Sequence, residues 1–353
     1  MEKLRIAFVA PPWYPVPPNG YGGIEVLIHL LAQELQHRGH QVTVIGSQGS
    51  RGDYEVIALA PASWRERLGS RDQEPLALSY ILETHELLRR RAFDLVHENT
   101  YGAMTVAAAL NLATPIVGTV HGDLTEADGK FLSTIDSRVH LIGISAAQQA
   151  QVAGVRWRGM VHNAFDPSTL EVGLEKEDYL VDLARISRDK GQHLAIEVAR
   201  RAGVPLVLAG KVDADDRAYF EAEIEPHLGG SVRWVENVAG REKAELLAKA
   251  RAMIFPIQWE EPFGIAMAEA MGSGTPVLAT PRGAAPELVE PGLTGFLAPD
   301  VDGLVEAYGK LDEIDPKRCA QRARERFGPA RMADGYEEIF VDEVEAVRGG
   351  WRS

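Results

Sequence analysis

Leu4-Arg-Ile-Ala-Phe-Val-Ala10, the stretch Ile24–Arg38, and Gln41-Val-Thr-Val-Ile-Gly46 decide the fold. The first and third are β-branched and aromatic runs, the pattern of strands in a buried sheet. Between them Val26, Leu27, Leu30, Leu31 and Leu35 recur at helical spacing, and Gly39 ends the helix. Strand, helix and parallel strand make a βαβ unit, and its repetition predicts a parallel sheet with helices on both faces. Further strands are expected at Asp94–His97, Pro115–Val120 and His140–Ile144, with Ser145 capping the helix after the last.

The pattern then restarts. Strands are expected at Tyr179–Ala184, Pro205–Gly210, Val232–Val235, Ala252–Pro256 and Pro276–Ala279. They alternate with helices at Gly191–Ala202, Ala218–His227, Lys243–Ala250 and Phe263–Ser273. Periodicity lapses over Val161–Glu177, where the hinge is placed. A tail helix is expected over Pro329–Val347, with Met332, Tyr336, Ile339, Phe340 and Val344 on one face. The fold class is therefore α/β, with two doubly wound Rossmann-like domains facing across a cleft at the carboxyl ends of their strands.

Composition narrows the functional classes. The 353 residues hold 37 Lys/Arg against 51 Asp/Glu, a net charge of −14 that disfavours bulk nucleic-acid binding. Most of the acidity lies in the second half, while the first 163 residues are nearly neutral. Cys319 is the sole cysteine, so an intramolecular disulfide or a cysteine zinc cage is excluded, and a reducing cytoplasm is expected. No apolar run is long enough to span a bilayer, and the first ten residues enter a strand pattern directly, unlike a secretion signal.

Three motifs carry chemistry. Asn19-Gly20-Tyr21-Gly22-Gly23-Ile24 joins the first strand to the first helix, where glycines allow either a tight turn or close approach of an anion. A dinucleotide fingerprint would require glycine where Glu25 stands, and the Walker pattern is absent. In Ala184-Arg185-Ile-Ser-Arg-Asp-Lys190-Gly191, Arg185 and Lys190 flank a turn in an acidic half, as solvated charges or as an anion site. In Glu261-Pro-Phe-Gly-Ile-Ala-Met-Ala-Glu269 two carboxylates flank a helix start. They are ~12 Å apart along a helix, too far for a shared acid/base pair. Glu269 lies between Ala268 and Ala270 in a packed helix, so a partner is required.

These motifs resemble the retaining GT-B glycosyltransferases of family 4. The resemblance extends through Gly274-Thr-Pro-Val277, Leu208-Ala-Gly210 and Gly292-x-x-Gly295-Phe296, and it covers nearly the whole chain in the family's order. It implies an N-terminal acceptor-side domain over residues 1–163 and a nucleotide-sugar-binding domain over 164–328. Residues 329–353 would form a helix packing back on the first domain. Gly22 and Gly23 amides would face the donor diphosphate, and Arg185 and Lys190 would neutralise it in place of a metal. Glu261 and the amides of Phe263, Gly264, Ile265 and Ala266 would hold the sugar and distal phosphate. Glu269 would take the ribose hydroxyls. Gly210 would belong to the donor site, the backbone from Val235 to Val238 would meet the base, and His121 would touch the sugar. His121, Arg185, Lys190 and Glu261 are the catalytic candidates.

The expected activity is metal-independent hexosyl transfer from a nucleoside diphosphate sugar (UDP or GDP) to a small-molecule, glycan or lipid-linked acceptor. No cofactor and no nucleic acid are expected. The cell location would be cytoplasmic or peripheral to the inner membrane face. A nucleotide-sugar epimerase or hydrolase of the same fold, or a non-catalytic binder, stays as the alternative. Trp13, Tyr14, Asn19, Tyr21, Asn99, Tyr101 and Asp123 are placed near the acceptor by position alone. Ala184 stands where the family usually has glycine, and Glu260 competes with Glu261 for the sugar. Among the other histidines, His97 and His162 end expected strands and read as structural hydrogen-bonders. Asp213-Ala214-Asp215 reads as a solvated acidic loop, and Arg89-Arg90-Arg91 as a basic helix C-terminus.

Overall fold

A computed structural model describes residues 3–20, 22–110 and 112–349. The chain divides into two units, Met1–Asn163 with Pro329–Ser353, and Ala164–Gly328.

The first unit is built on a 7-stranded parallel sheet. Its strands are β1 (Arg5–Val9), β2 (Gln41–Ser47), β3 (Glu55–Ala60), β4 (Leu95–Glu98), β5 (Ile116–Thr119), β6 (His140–Gly143) and β7 (Trp157–Met160), in the order β3-β2-β1-β4-β5-β6-β7. Ile6, Ala7, Phe8 and Val9 are all buried because helices cover both faces, which is why the run is apolar without alternation. Ser145 caps its helix by accepting from the Gln148 amide. The second unit repeats the plan with 6 parallel strands. They are β8 (Glu177–Leu183), β9 (Leu206–Ala209), β10 (Val232–Val235), β11 (Ala250–Phe255), β12 (Val277–Ala279) and β13 (Gly295–Leu297), ordered β10-β9-β8-β11-β12-β13. In each sheet the strand order reverses beside the first strand of the unit, between β1 and β4 and between β8 and β11. Ligands of open α/β sheets bind outside the carboxyl ends of strands at such a switch point.

Two expectations are corrected. The helix expected over Ala218–His227 is a composite: a short α-turn at Arg217–Tyr219, a wide π-turn at Phe220–Ile224 and a tight turn at Glu225–His227. Pro226 lacks the amide that a regular helix would need there and forces the change of pitch. The helix expected from Phe263 begins only at Ile265 and ends at Gly272, because Gly264 adopts φ 85° as its cap.

The helix Pro329–Arg348 lies on the first sheet although it follows the second unit in sequence. It buries Met332, Tyr336, Ile339, Phe340 and Val344, and the Tyr336 hydroxyl sits 2.9 Å from Thr119 Oγ1. Two acidic residues fasten it. Glu337 accepts from Arg38 Nη1 at 2.8 Å and lies 2.9 Å from His40 Nε2, and Glu343 pairs with Arg158 and His140. Burial alone pushes both carboxyls up, but these partners outweigh it and hold both below the ordinary glutamate range. A carboxyl depressed on folding contributes its stability in full above the unfolded pKa near 4.3 and loses it as pH falls through the folded value. Glu337→Gln is therefore expected to cost about 2 kcal/mol at pH 7. Urea unfolding at a series of pH values should show the gap to the unaltered protein closing below about pH 4.

Candidate active site

At the switch point of the second sheet, the loops after β8 and β11 are forced together. Gly191 has φ 77°, and a β-carbon built there would lie 2.1 Å from the Pro256 carbonyl oxygen. The Gln258 amide donates to the Asp189 carbonyl at 2.7 Å. Gly210, after β9, makes a similar approach, with a β-carbon there falling 1.9 Å from the Ala184 carbonyl oxygen. Glycine at these two positions is a steric requirement. The Ala184 amide bonds the Ala209 carbonyl at 3.1 Å in the continuing ladder, so the departure from glycine there leaves the strand end paired.

The clamp brings the second and third motifs together. Lys190 Nζ donates to Glu261 Oε2 at 2.5 Å, and the Trp259 indole Nε1 donates to the same oxygen at 3.2 Å. Lys190 Nζ also stands 4.3 Å from the centre of the Trp259 ring. A cation, a carboxylate and an indole thus form one closed triangle, with the lysine side chain only 14% and the glutamate 12% exposed. Glu260 faces elsewhere, accepting from the Gly283 amide at 2.7 Å beyond β12. Of the two glutamates, Glu261 is the one that pairs with Lys190.

The remaining candidates of this unit make contacts of their own. Arg185 is gripped by carboxylates: Asp216 at 2.9 Å, Asp189 at 3.6 Å and Asp213 at 3.8 Å. The acidic loop Asp213-Ala214-Asp215 is largely solvated, and Asp213 with the adjoining Asp216 also partners Arg185. Glu269 has the partner its burial demanded, Lys243 Nζ at 2.7 Å. Of the seven residues between Glu261 and Glu269, the first three lie in a loop, so the helical ~12 Å spacing does not apply. Phe263 is buried, with its ring 5.8 Å from Phe327, and so anchors the loop that carries Glu261. Gly264, Ile265 and Ala266 open the next helix, whose first amides have no acceptor within the helix itself. Val235 ends β10, and Val235 and Val238 line a groove of about 600 Å³ with Tyr179, Val207 and Leu246.

In the first unit, Gly22 caps the helix Gly23–His37 with φ 147°. The sequence concealed the neighbour of this turn. Glu25 is 4% exposed, and burial lifts its carboxyl to about 7. Trp13, Tyr14 and Asn19 follow β1, Asn99 and Tyr101 follow β4, and His121 and Asp123 follow β5, all at carboxyl ends of strands. Tyr21 lies outside the described residues. Arg90 pairs with Glu86 and Arg91 with Glu55, so the basic end of that helix is met by local carboxylates. Among the described residues no three His, Cys, Asp or Glu side chains are grouped to hold a metal ion, and no helix is long and apolar enough to cross a membrane.

Two family descriptions match the chain, Glycosyltransferase Family 4 over residues 21–153 and Glycosyl transferases group 1 over residues 171–326. The chain belongs to the group 1, family 4 glycosyltransferases. Among solved structures it is similar to AviGT4, a glycosyltransferase involved in avilamycin A biosynthesis, with 26% identity, a TM-score of 0.76 and coverage of 98% of this chain and 99% of that one. It also shares its fold with Anabaena HepE in complex with UDP and glucose, at 21% identity, a TM-score of 0.73 and coverage of 96% and 100%. A curated relative is the phosphatidyl-myo-inositol mannosyltransferase of Mycolicibacterium smegmatis, 25% identical over 91% of this chain and 88% of the relative. The GT-B architecture and glycosyl transfer follow from these likenesses.

The steric clamp gives a direct expectation. Gly191→Ala must either break the Asp189–Gln258 contact or displace the Pro256 carbonyl, and is expected to cost about 2–4 kcal/mol of stability. Gly203→Ala, also at positive φ but with nothing within 4 Å of the added carbon, should cost no more than about 1 kcal/mol by urea unfolding.

Proposed function

We propose that this family 4 enzyme is a retaining, metal-independent hexosyltransferase that uses a nucleoside diphosphate sugar. The observation that carries the reading is the Lys190–Glu261 pair, clamped at the switch point beside a helix N-terminus. An ammonium and a set of open amides suit a diphosphate, and an adjacent carboxylate suits sugar hydroxyls. HepE, with UDP and glucose in the related fold, supports the choice of a nucleotide sugar.

In this reading the diphosphate enters the network by exchanging partners. Its oxygens replace Glu261 on Lys190 and the aspartates on Arg185, so no lone buried charge is created at any stage. Glu261, freed toward the sugar, accepts from hydroxyls, and Glu269, held by Lys243, accepts from the ribose hydroxyls. As the bond from the anomeric carbon to the phosphate oxygen breaks, negative charge grows on the leaving group. The Lys190 and Arg185 charges and the amides of Gly264–Ala266 are fixed in place to stabilise it. The acceptor oxygen then bonds to the same face of the sugar, and its proton passes to the departing phosphate oxygen. His121 is assigned to the sugar. The acceptor is a hydroxyl-bearing small molecule, glycan or lipid-linked compound.

Thermal-shift screening of nucleoside diphosphates, with and without chelator, tests this. One nucleotide should raise the melting temperature, and chelator should leave the shift intact. Lys190→Ala should weaken that nucleotide about tenfold and transfer by about 100-fold or more. A strict metal requirement would overturn the mechanism. Hydrolysis of the donor at the same rate with and without any acceptor would favour the hydrolase reading.

A further inference from the structure

The loop after β4 contains a buried amide whose contacts define the state of the histidine assigned to the sugar. The position of Asn99 after a strand suggests contact with the acceptor, but the residue is 4% exposed and faces inward. Its Nδ2 donates to the Val9 carbonyl at 3.2 Å and the His97 carbonyl at 3.4 Å. Both of those oxygens only accept, so the amide cannot be turned the other way without setting oxygen against oxygen. Its Oδ1 therefore points to the remaining neighbour, His121 Nε2, at 3.0 Å. An amide oxygen accepts and never donates, so the proton on this contact belongs to Nε2. A neutral imidazole carries a single N–H, which leaves Nδ1 bare. Among the described residues, His121 Nδ1 is shielded from solvent and has no hydrogen-bond partner.

We propose that Asn99 is the positioning residue of His121, holding the ring as the Nε2–H tautomer so that the atom it keeps for a ligand is the Nδ1 lone pair. A lone pair receives a hydroxyl or another donor and repels a phosphate or carboxylate oxygen. This tells the two sides of a nucleotide sugar apart, and that consequence rests on the transfer reading above. The tautomer itself does not. Burial supports the assignment, pushing His121 down to about 4, so the doubly protonated ring does not compete at neutral pH. His97 nearby is occupied differently. Its Nε2 lies 2.8 Å from Thr119 Oγ1, and its ring packs on Phe8, Tyr336 and Phe340.

The test is long-range ¹H–¹⁵N correlation of the full chain labelled at histidine, at pH 7, with His121 assigned by its absence in His121→Gln. The unaltered protein should show one protonated ring nitrogen at Nε2 and an unprotonated Nδ1. Asn99→Asp keeps an acceptor but adds negative charge, and should convert the ring to the doubly protonated form at the same pH. Asn99→Leu, which supplies no acceptor, should give averaged tautomer shifts, and amide spectra outside this loop should report whether either variant stays folded. An Nδ1–H ring or an imidazolium in the unaltered protein would overturn the proposal, as would a His121 spectrum unmoved in folded variants. Where donor turnover is measurable, Asn99→Asp should lower kcat about tenfold or more with KM within about threefold. Failure of all nucleotide sugars to turn over, with the His121 spectrum as expected, would count against the transfer reading alone.

Discussion

A glycine pressed against a carbonyl is the constraint on which the candidate donor site depends. Gly191 lets the loop after β8 come within contact distance of Pro256 in the loop after β11, and no side chain fits between them. These two loops leave the sheet at the point where strand order reverses, so their natural tendency is to diverge. The close backbone approach and the Asp189–Gln258 hydrogen bond reverse that divergence. Only then do Lys190 and Glu261, 71 residues apart, share an oxygen with Trp259. The charge pair is thus a product of backbone sterics, with the indole limiting the routes by which either member can leave.

The site holds its charges in matched pairs. Lys190 with Glu261, Lys243 with Glu269, and Arg185 with Asp216 all meet across loops or helices of one unit. Such pairing stores cations in a strongly acidic half without leaving them to attract solvent anions indiscriminately. It also sets the selectivity of any anion that binds. A ligand must supply oxygens at several of these places together, because an anion that displaces a single carboxylate gains little over the ion pair it breaks. A diphosphate joined to a sugar and a ribose has that distribution of acceptors and hydroxyls.

Much of this fold is legible because buried parallel strands are short, apolar and spaced by helices. Leu4–Ala10 and Gln41–Gly46 are recognisable for that reason, as is the face Met332–Tyr336–Ile339–Phe340–Val344 of the last helix. The edge strand Glu55–Ala60 escapes a reading of the sequence because its residues are only partly covered and its pattern is mixed. The helix Gln73–Arg90 leaves Leu78 and Leu82 exposed, which blurs the stripe that periodicity relies on. In the candidate site, the motif residues and the need for a partner at Glu269 can be read from spacing. The partners cannot. Lys243, Asp216 and Trp259 belong to no motif that pairs them with their neighbours, and only the folded backbone determines which cation meets which carboxylate. Asn99 shows the opposite failure: its position after a strand suggests contact with a ligand, whereas its amide is spent inside the protein.

The return of Pro329–Arg348 to the first sheet means that the second unit is an insertion within the first. A ribosome delivers residues 164–328 complete before it releases the segment that covers Phe8, Thr119 and His97. The inserted unit can therefore mature during synthesis, while the apolar side of the earlier sheet waits, uncovered, for the last helix. Chains cut short near their end would carry an intact inserted unit and a damaged first one, and would fail by sticking to one another more than by losing the Lys190–Glu261 pair.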